Sequence, residues 1–298
     1  MRAPTAYERV FETRTLVTIA ALGAAFVMVY WQVFARLFDA WTNDGNYSHG
    51  WLIVPLAAYF AWERRDRLFA AQVRSSWLGL VVILGSLLVL VAGLLGAELF
   101  LTRVSIVGTT AGIVLFLFGW THLRVLAFPI GFLLLMIPIP AIIFNQIAFP
   151  LQLFASQFGE FCMTTVRIPV LREGNVLILA NTTLEVAEAC SGIRSLISLV
   201  TLGLVFGYFS DARMWVRLAI VGSAIPVAIV ANGMRVAGTG MAAQWYGPEA
   251  AQGFFHDFSG WAVFAVAFVL MLGIHRLIVA FWPQREGAQS AGMKRGER

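Results

Sequence analysis

The stretch from Leu184 to Ser195 reads Leu-Glu-Val-Ala-Glu-Ala-Cys-Ser-Gly-Ile-Arg-Ser, and it places Cys190, one of only two cysteines, at a polar threshold. A charged, strand-like segment precedes it, and an apolar run from Leu196 to Phe209 follows. A thiol attacks carbonyl carbon as its thiolate, and a helix N-terminus or a neighbouring cation favours loss of the proton. Three other polar clusters lie far away in sequence: Asn232-Gly233-Met234-Arg235, Phe255-His256-Asp257-Phe258, and Tyr47-Ser48-His49. An imidazole such as His256 can take the thiol proton and return it to a leaving amine. A guanidinium such as Arg235 can stabilise a carbonyl oxyanion, bind a carboxylate, or lower the thiol pKa directly. These are the parts of an acyl transfer through a thioester. Each also has a plainer reading. Membrane cysteines are usually small hydrophobes, His256 can be an interfacial histidine, and Arg235 a snorkelling anchor. Glu185 and Glu188 are either solvated acids or orienting partners of Arg194, and His49 is either a substrate-side residue or the neighbour of a helix cap. Cys162, within Phe161-Cys162-Met163, reads as a core hydrophobe, and nothing in the spacing argues for a disulfide to Cys190.

The elements that must position these groups are membrane helices. Of the 298 residues 59% are hydrophobic and 12% charged, about half the charge of a soluble domain. Apolar runs over about 15–37, 48–62, 77–96, 104–120, 125–147, 193–210, 215–234 and 259–281 predict an all-α polytopic membrane protein of about eight spans. The second run is short for a bilayer, and the stretch 147–161 is amphipathic enough to lie in the interface. Between Arg167 and Ala189 the pattern changes. Val176–Leu179 and Thr182–Val186 read as two short strands around an Ala180-Asn181 turn. Residues 1–298 form one integral membrane domain on this reading, and 283–298 form a short basic cytoplasmic tail. The N-terminus does not read as a cleaved signal peptide, since no small-residue cleavage site follows its long apolar run.

Basic residues set the orientation. With both termini in the cytoplasm, fifteen of the 21 Lys and Arg fall inside, and Arg36, Arg103, Arg167, Arg172, Arg194 and Arg235 fall outside. Cys190, Asn232, Arg235, His256, Asp257 and His49 then share the outer face, while His122 and His275 take the inner one. The net charge of +5 is explained by this bias, so nucleic acid is not an expected partner. The chain has no Cys-x-x-Cys, no His-Glu-x-x-His and no Gly-rich phosphate loop, so neither a metal nor a cofactor is expected.

At the level of motifs, Glu188-Ala189-Cys190-Ser191-Gly192-Ile193-Arg194-Ser195 resembles the signature of the exosortase/archaeosortase family. Asn232 followed by Arg235 resembles its second motif, and His256 shortly before Gly260-Trp261 its third. Tyr47-Ser48-His49-Gly50-Trp51 resembles the family's early segment, and the agreement runs over about 45–280. The histidine at the third motif is similar to the bacterial branch. The resemblance implies a cysteine transpeptidase of the bacterial inner membrane with its site facing the periplasm. Its catalytic residues would be Cys190, Arg235 and His256, with Glu188, Arg194, Asn232, His49 and Asp257 in substrate-binding or supporting roles. Its partners would be secreted proteins ending in a Pro-Glu-Pro-type sorting signal, a hydrophobic helix and basic residues, together with an outer-face acceptor such as surface polysaccharide or lipid. Capture of the acidic motif would need a local cation, with Arg172, Arg194 and Arg235 as candidates. The competing classes are a transporter or scaffold for exopolysaccharide export, which would need polar groups strung through the bilayer, and a thiol acyltransferase that moves lipid.

Overall fold

The computed structural model describes residues 13–186, 192–211, 213–247, 249 and 254–283. Its helices are α1 (Thr13–Asn43), α2 (Gly50–Glu63), α3 (Arg65–Ala70), α4 (Leu78–Leu95), α5 (Leu99–Phe118), α6 (Trp120–Phe132), α7 (Ala141–Thr165), α8 (Gly192–Ser210), α9 (Met214–Tyr246) and α10 (Phe254–Phe281). One three-stranded antiparallel sheet, β1 (Val170–Glu173), β2 (Val176–Leu179) and β3 (Thr183–Glu185), lies between α7 and α8. Two compact units divide the chain, Met1–Phe144 and Asn145–Arg298.

The chain is an all-α polytopic membrane protein apart from that sheet. Among the described residues six helices are long and apolar enough to cross a bilayer: α1, α4, α5, α8, α9 and α10. A seventh span exists only if α6 and α7 are taken together across a break. Two of the eight expected runs therefore take another form. Residues 48–62 make the 14-residue α2, about 21 Å long against a hydrocarbon core of about 30 Å. The run 125–147 is interrupted at Ile137-Pro138-Ile139-Pro140. Proline lacks an amide donor and pushes the preceding residue out of helical geometry, so two in three positions stop a helix. After the break the chain forms the 25-residue α7, which takes up the stretch expected to lie in the interface.

In the first unit the break is sewn to the ends of α1 and α2. Trp41 donates its indole N–H to the Met136 carbonyl at 2.8 Å, and the Tyr47 hydroxyl reaches the Ile139 carbonyl at 3.4 Å. Gly50 allows this, because a Cβ there would collide with the Trp41 indole. At the opposite end Arg64 donates to the Val125 carbonyl at 2.6 Å, and buried His122 faces the carbonyls of Phe118 and Leu68.

In the second unit, α8, α9 and α10 pack around Leu199, Val216, Ile220, Ala224, Ala267 and Met271. At the Asp211 end they are tied by charge. Arg213 holds the buried Asp211 carboxylate at 2.7 Å and donates to the Trp282 carbonyl at 2.6 Å, while Arg217 donates to the backbone carbonyls of Asp211 and Tyr208. From Trp215, near this end, α9 reaches Arg235 after about 30 Å of rise, the thickness of the hydrocarbon core. It then continues to Tyr246, well beyond the expected end at 234, because it has something to bind there. Leu177, Leu179 and Leu184 on one face of the sheet pack with Val186, with Ala155 and Met163 of α7, and with Val236 and Ala243 of α9. The strand register, Leu177 opposite Leu184 and Glu173 opposite Val176, leaves a two-residue Gly174-Asn175 hairpin with Gly174 at φ 65°. The sequence pattern gives β2 and β3 but not β1.

Leu177 is completely buried at the centre of this cluster. Leu177→Ala is expected to destabilise the second unit by about 2–5 kcal/mol. A clear fall in melting temperature of the detergent-purified protein checks this, and an unchanged transition would show that the sheet is not part of the cooperative core.

Candidate active site

The site expected from sequence maps mainly to the end of α8, α9 and α10 remote from Asp211. Glu188 and Cys190 lie outside the described residues. The chain on either side of them is anchored, with Val186 at 1% exposure on the sheet cluster and Ile193 at 2% in the first turn of α8. Arg194, in that same turn, is exposed.

Successive residues of a helix point about 100° apart, so the four residues Asn232 to Arg235 look in four directions. Asn232 is 4% exposed and lines a small cavity with Leu151, Leu196, Ala228 and Ile229. Its Oδ1 has no hydrogen-bond partner among the described residues, which is costly for a buried carbonyl oxygen. Gly233 carries Phe158 of α7 directly over it, and a Cβ there would meet the ring at 2.8 Å. Met234 is 55% exposed and faces outward. Arg235 is half-buried and turns toward α10, where a Cβ built on Gly260 would lie 3.5 Å from its Nη2 and 3.6 Å from its Cζ. Gly260 follows His256 by four residues, one helical turn along the same face of α10. The second and third motifs thus meet across the α9–α10 contact, at the level of the cavity beside the first turn of α8. The side chains of His256 and Asp257 lie outside the described residues, and both positions fall in the first turn of α10.

The other candidates fall elsewhere. Arg172 is paired with Glu160 at 2.7 Å and donates to the Gly174 carbonyl, so it braces the sheet against α7. Cys162 is half-buried in α7. His49, in the first unit, precedes α2 without capping it through its side chain. Its Nε2 lies 3.1 Å from the Leu135 carbonyl, to which the neutral ring donates. Burial holds its pKa below the usual histidine value, and hydrogen bonds to the backbone of Leu135 and Asn46 act the other way. The sequence reading names Gly233 and Gly260 within the motifs but gives them no role, because glycines in apolar helices give no sign of what lies over them.

Against known families, residues 41–273 match the model described as transmembrane exosortase (Exosortase_EpsH). The chain belongs to the transmembrane exosortase family. The matched region contains every motif discussed above and the helices from α2 through α9 with most of α10, while α1 lies almost wholly before it. Membership makes this a multi-pass exosortase-type membrane protein and implies a membrane peptidase or transpeptidase. No curated protein and no solved structure matches the chain significantly.

Two outcomes are expected from this geometry. Gly233→Val pushes Phe158 off α9 and should lower substrate processing at least tenfold, whereas Gly260→Ala makes only ordinary van der Waals contact and should process normally. Equal processing by both variants would remove the packing role assigned to Gly233. Separately, the folded protein binds fewer protons at His49 than the unfolded chain does, so the stability His49 contributes is complete above about pH 6.5 and falls as pH drops through the lowered folded value. Melting curves from pH 8 to 5 should show this slope in the wild type and a flatter one in His49→Gln, and identical slopes would count against the assignment.

Proposed function

We propose that this exosortase is a cysteine transpeptidase that cleaves the C-terminal sorting signal of secreted proteins at the periplasmic face of the bacterial inner membrane. The observation carrying the reading is the approach of the Arg235 guanidinium to Gly260, one turn from His256, in a family member whose chain leads from an anchored sheet through Cys190 into the neighbouring helix. In this scheme the Cys190 thiolate attacks the scissile carbonyl carbon, and Arg235 stabilises the oxyanion. The C–N bond breaks, and His256 gives its proton to the departing amine. The upstream segment is left as a thioester on Cys190. An acceptor nucleophile then attacks that thioester, His256 takes the acceptor's proton, and the thiolate is released.

The substrate class follows from the same surroundings. A hydrophobic tail helix with a basic end enters the bilayer as the protein's own helices do, with its charges inside. The motif just before it then lies at the outer interface, level with Arg194 and Arg235. Arg172 is committed to Glu160, so these two are the cations for an acidic motif, with Asn232, Asp257 and Glu188 as supporting groups. Transfer to a surface polymer or lipid completes the reaction.

Coexpression with a tail-bearing substrate tests the nucleophile. Cys190→Ala and Cys190→Ser should leave the substrate unprocessed, and the wild type should yield a substrate adduct released by hydroxylamine. Processing by the alanine variant at the wild-type rate would sink the mechanism.

A further inference from the structure

The three-stranded sheet has two edges, and only one is braced. Arg172 ties the β1 side to Glu160 of α7 at 2.7 Å. The β3 side is open among the described residues. The Leu179 amide donates to the Thr182 carbonyl at 2.9 Å, and the Val186 amide to the Asn175 carbonyl at 3.0 Å. Thr182 and Val186, with Leu184 midway between them, therefore turn their backbone groups toward β2. Alternation along the strand turns the N–H and C=O of Thr183 and Glu185 the other way. Both residues are exposed, and among the described residues neither backbone makes a bond on that side. An unpaired edge is a template for another strand, and it cannot face lipid. It meets water or an added segment.

Length and position say which segment. Three residues are too few for a durable edge-to-edge contact between copies of the chain. They suit one short extended peptide that is also held elsewhere. Cys190 follows Glu185 by five residues, at most about 17 Å of extended chain, and α8 starts two residues after Cys190. A substrate laid parallel to β3 runs in the same order: strand first, then scissile carbonyl, then a helix in the bilayer.

Parallel pairing also sets the composition. The residue opposite Leu184 donates its N–H to the Thr183 carbonyl and accepts from the Glu185 amide. The residues opposite Thr183 and Glu185 turn their own amides away. Those two positions tolerate proline, which lacks the donor that a ladder needs. A Pro-x-Pro segment thus fits this edge with no bond lost, and its second proline holds x extended before binding. The side chain of x falls on the Leu184 face of the sheet, the face turned to α9.

We propose that the open edge of β3 binds the Pro-x-Pro motif of the sorting signal as a fourth, parallel strand and so delivers the residues that follow to Cys190. The inference rests on the sorting-signal reading above and adds the surface that recognises the motif.

Binding to the full-length Cys190→Ala protein in nanodiscs tests this without any chemical step. The probe is a fluorescent synthetic peptide carrying Pro-Glu-Pro, an apolar helix of about 20 residues and an arginine tail. Glu185→Pro removes an outward amide and keeps the ladder to β2. It should weaken binding about tenfold, with Glu185→Ala near the parent value. An ester in place of the amide between the first proline and the glutamate removes the donor from the peptide instead. It should weaken binding about threefold or more, and it still reports if Glu185→Pro does not fold. Thr183→Cys should form a disulfide with a peptide in which cysteine replaces the first proline. A disulfide only to cysteine at the second proline would overturn the parallel register. Binding that neither Glu185→Pro nor the ester weakens overturns recognition by this edge and leaves the transpeptidase reading standing. No binding of the peptide by any variant removes the sorting-signal reading, and this inference with it. A dimer of the parent protein that Glu185→Pro dissolves in native mass spectrometry would make the edge a self-pairing interface and overturn the proposal.

Discussion

The rotation of α9 about its own axis is the constraint on which the second unit depends. It is fixed by one contact, the Phe158 ring seated on Gly233, and repeated seven residues on where Met163 lies over Gly240. Small residues let helices approach closely in lipid, where there is no hydrophobic drive to bring them together. With Gly233 turned to α7, the helical repeat sends Asn232 to the cavity beside α8 and Arg235 to α10. A single apolar contact thus aims two polar side chains that it does not touch.

The same helix links two solvents. Its first twenty or so residues are long enough to cross the hydrocarbon, and farther along Val236 and Ala243 give the three-stranded sheet a surface to pack on. A sheet this small has little independent stability. Here it borrows a core from α7 and α9, and in return it holds Val186 in place. The membrane-exposed flanks of the spans remain apolar, as lipid requires.

Much of this was legible in the sequence. Apolar runs marked six of the spans, though α9 and α1 run well past their expected ends, and the polar clusters at Asn232–Arg235 and before Gly260 were found by residue type. What was not legible depends on partners distant in sequence. Hydropathy averages across Pro138 and Pro140, so a broken segment read as one continuous span. Residues Val236 to Tyr246 carry Thr239, Gln244 and five glycines and alanines, and the sheet packed against them accounts for their helical continuation. Strand β1, Val170-Leu171-Arg172-Glu173, lacks an alternation of its own and is defined by pairing with β2.

The ion cluster around Asp211 in the second unit has a mechanical meaning. Asp211, Arg213, Arg217 and the Trp282 carbonyl bind the ends of α8, α9 and α10 to one another at the end remote from Arg235. Three rods lashed together at one end can splay only at the other. The lashing therefore makes a fulcrum, with the lever arms spanning the bilayer, and it directs any opening of this bundle to the side where Arg235 and Gly260 meet.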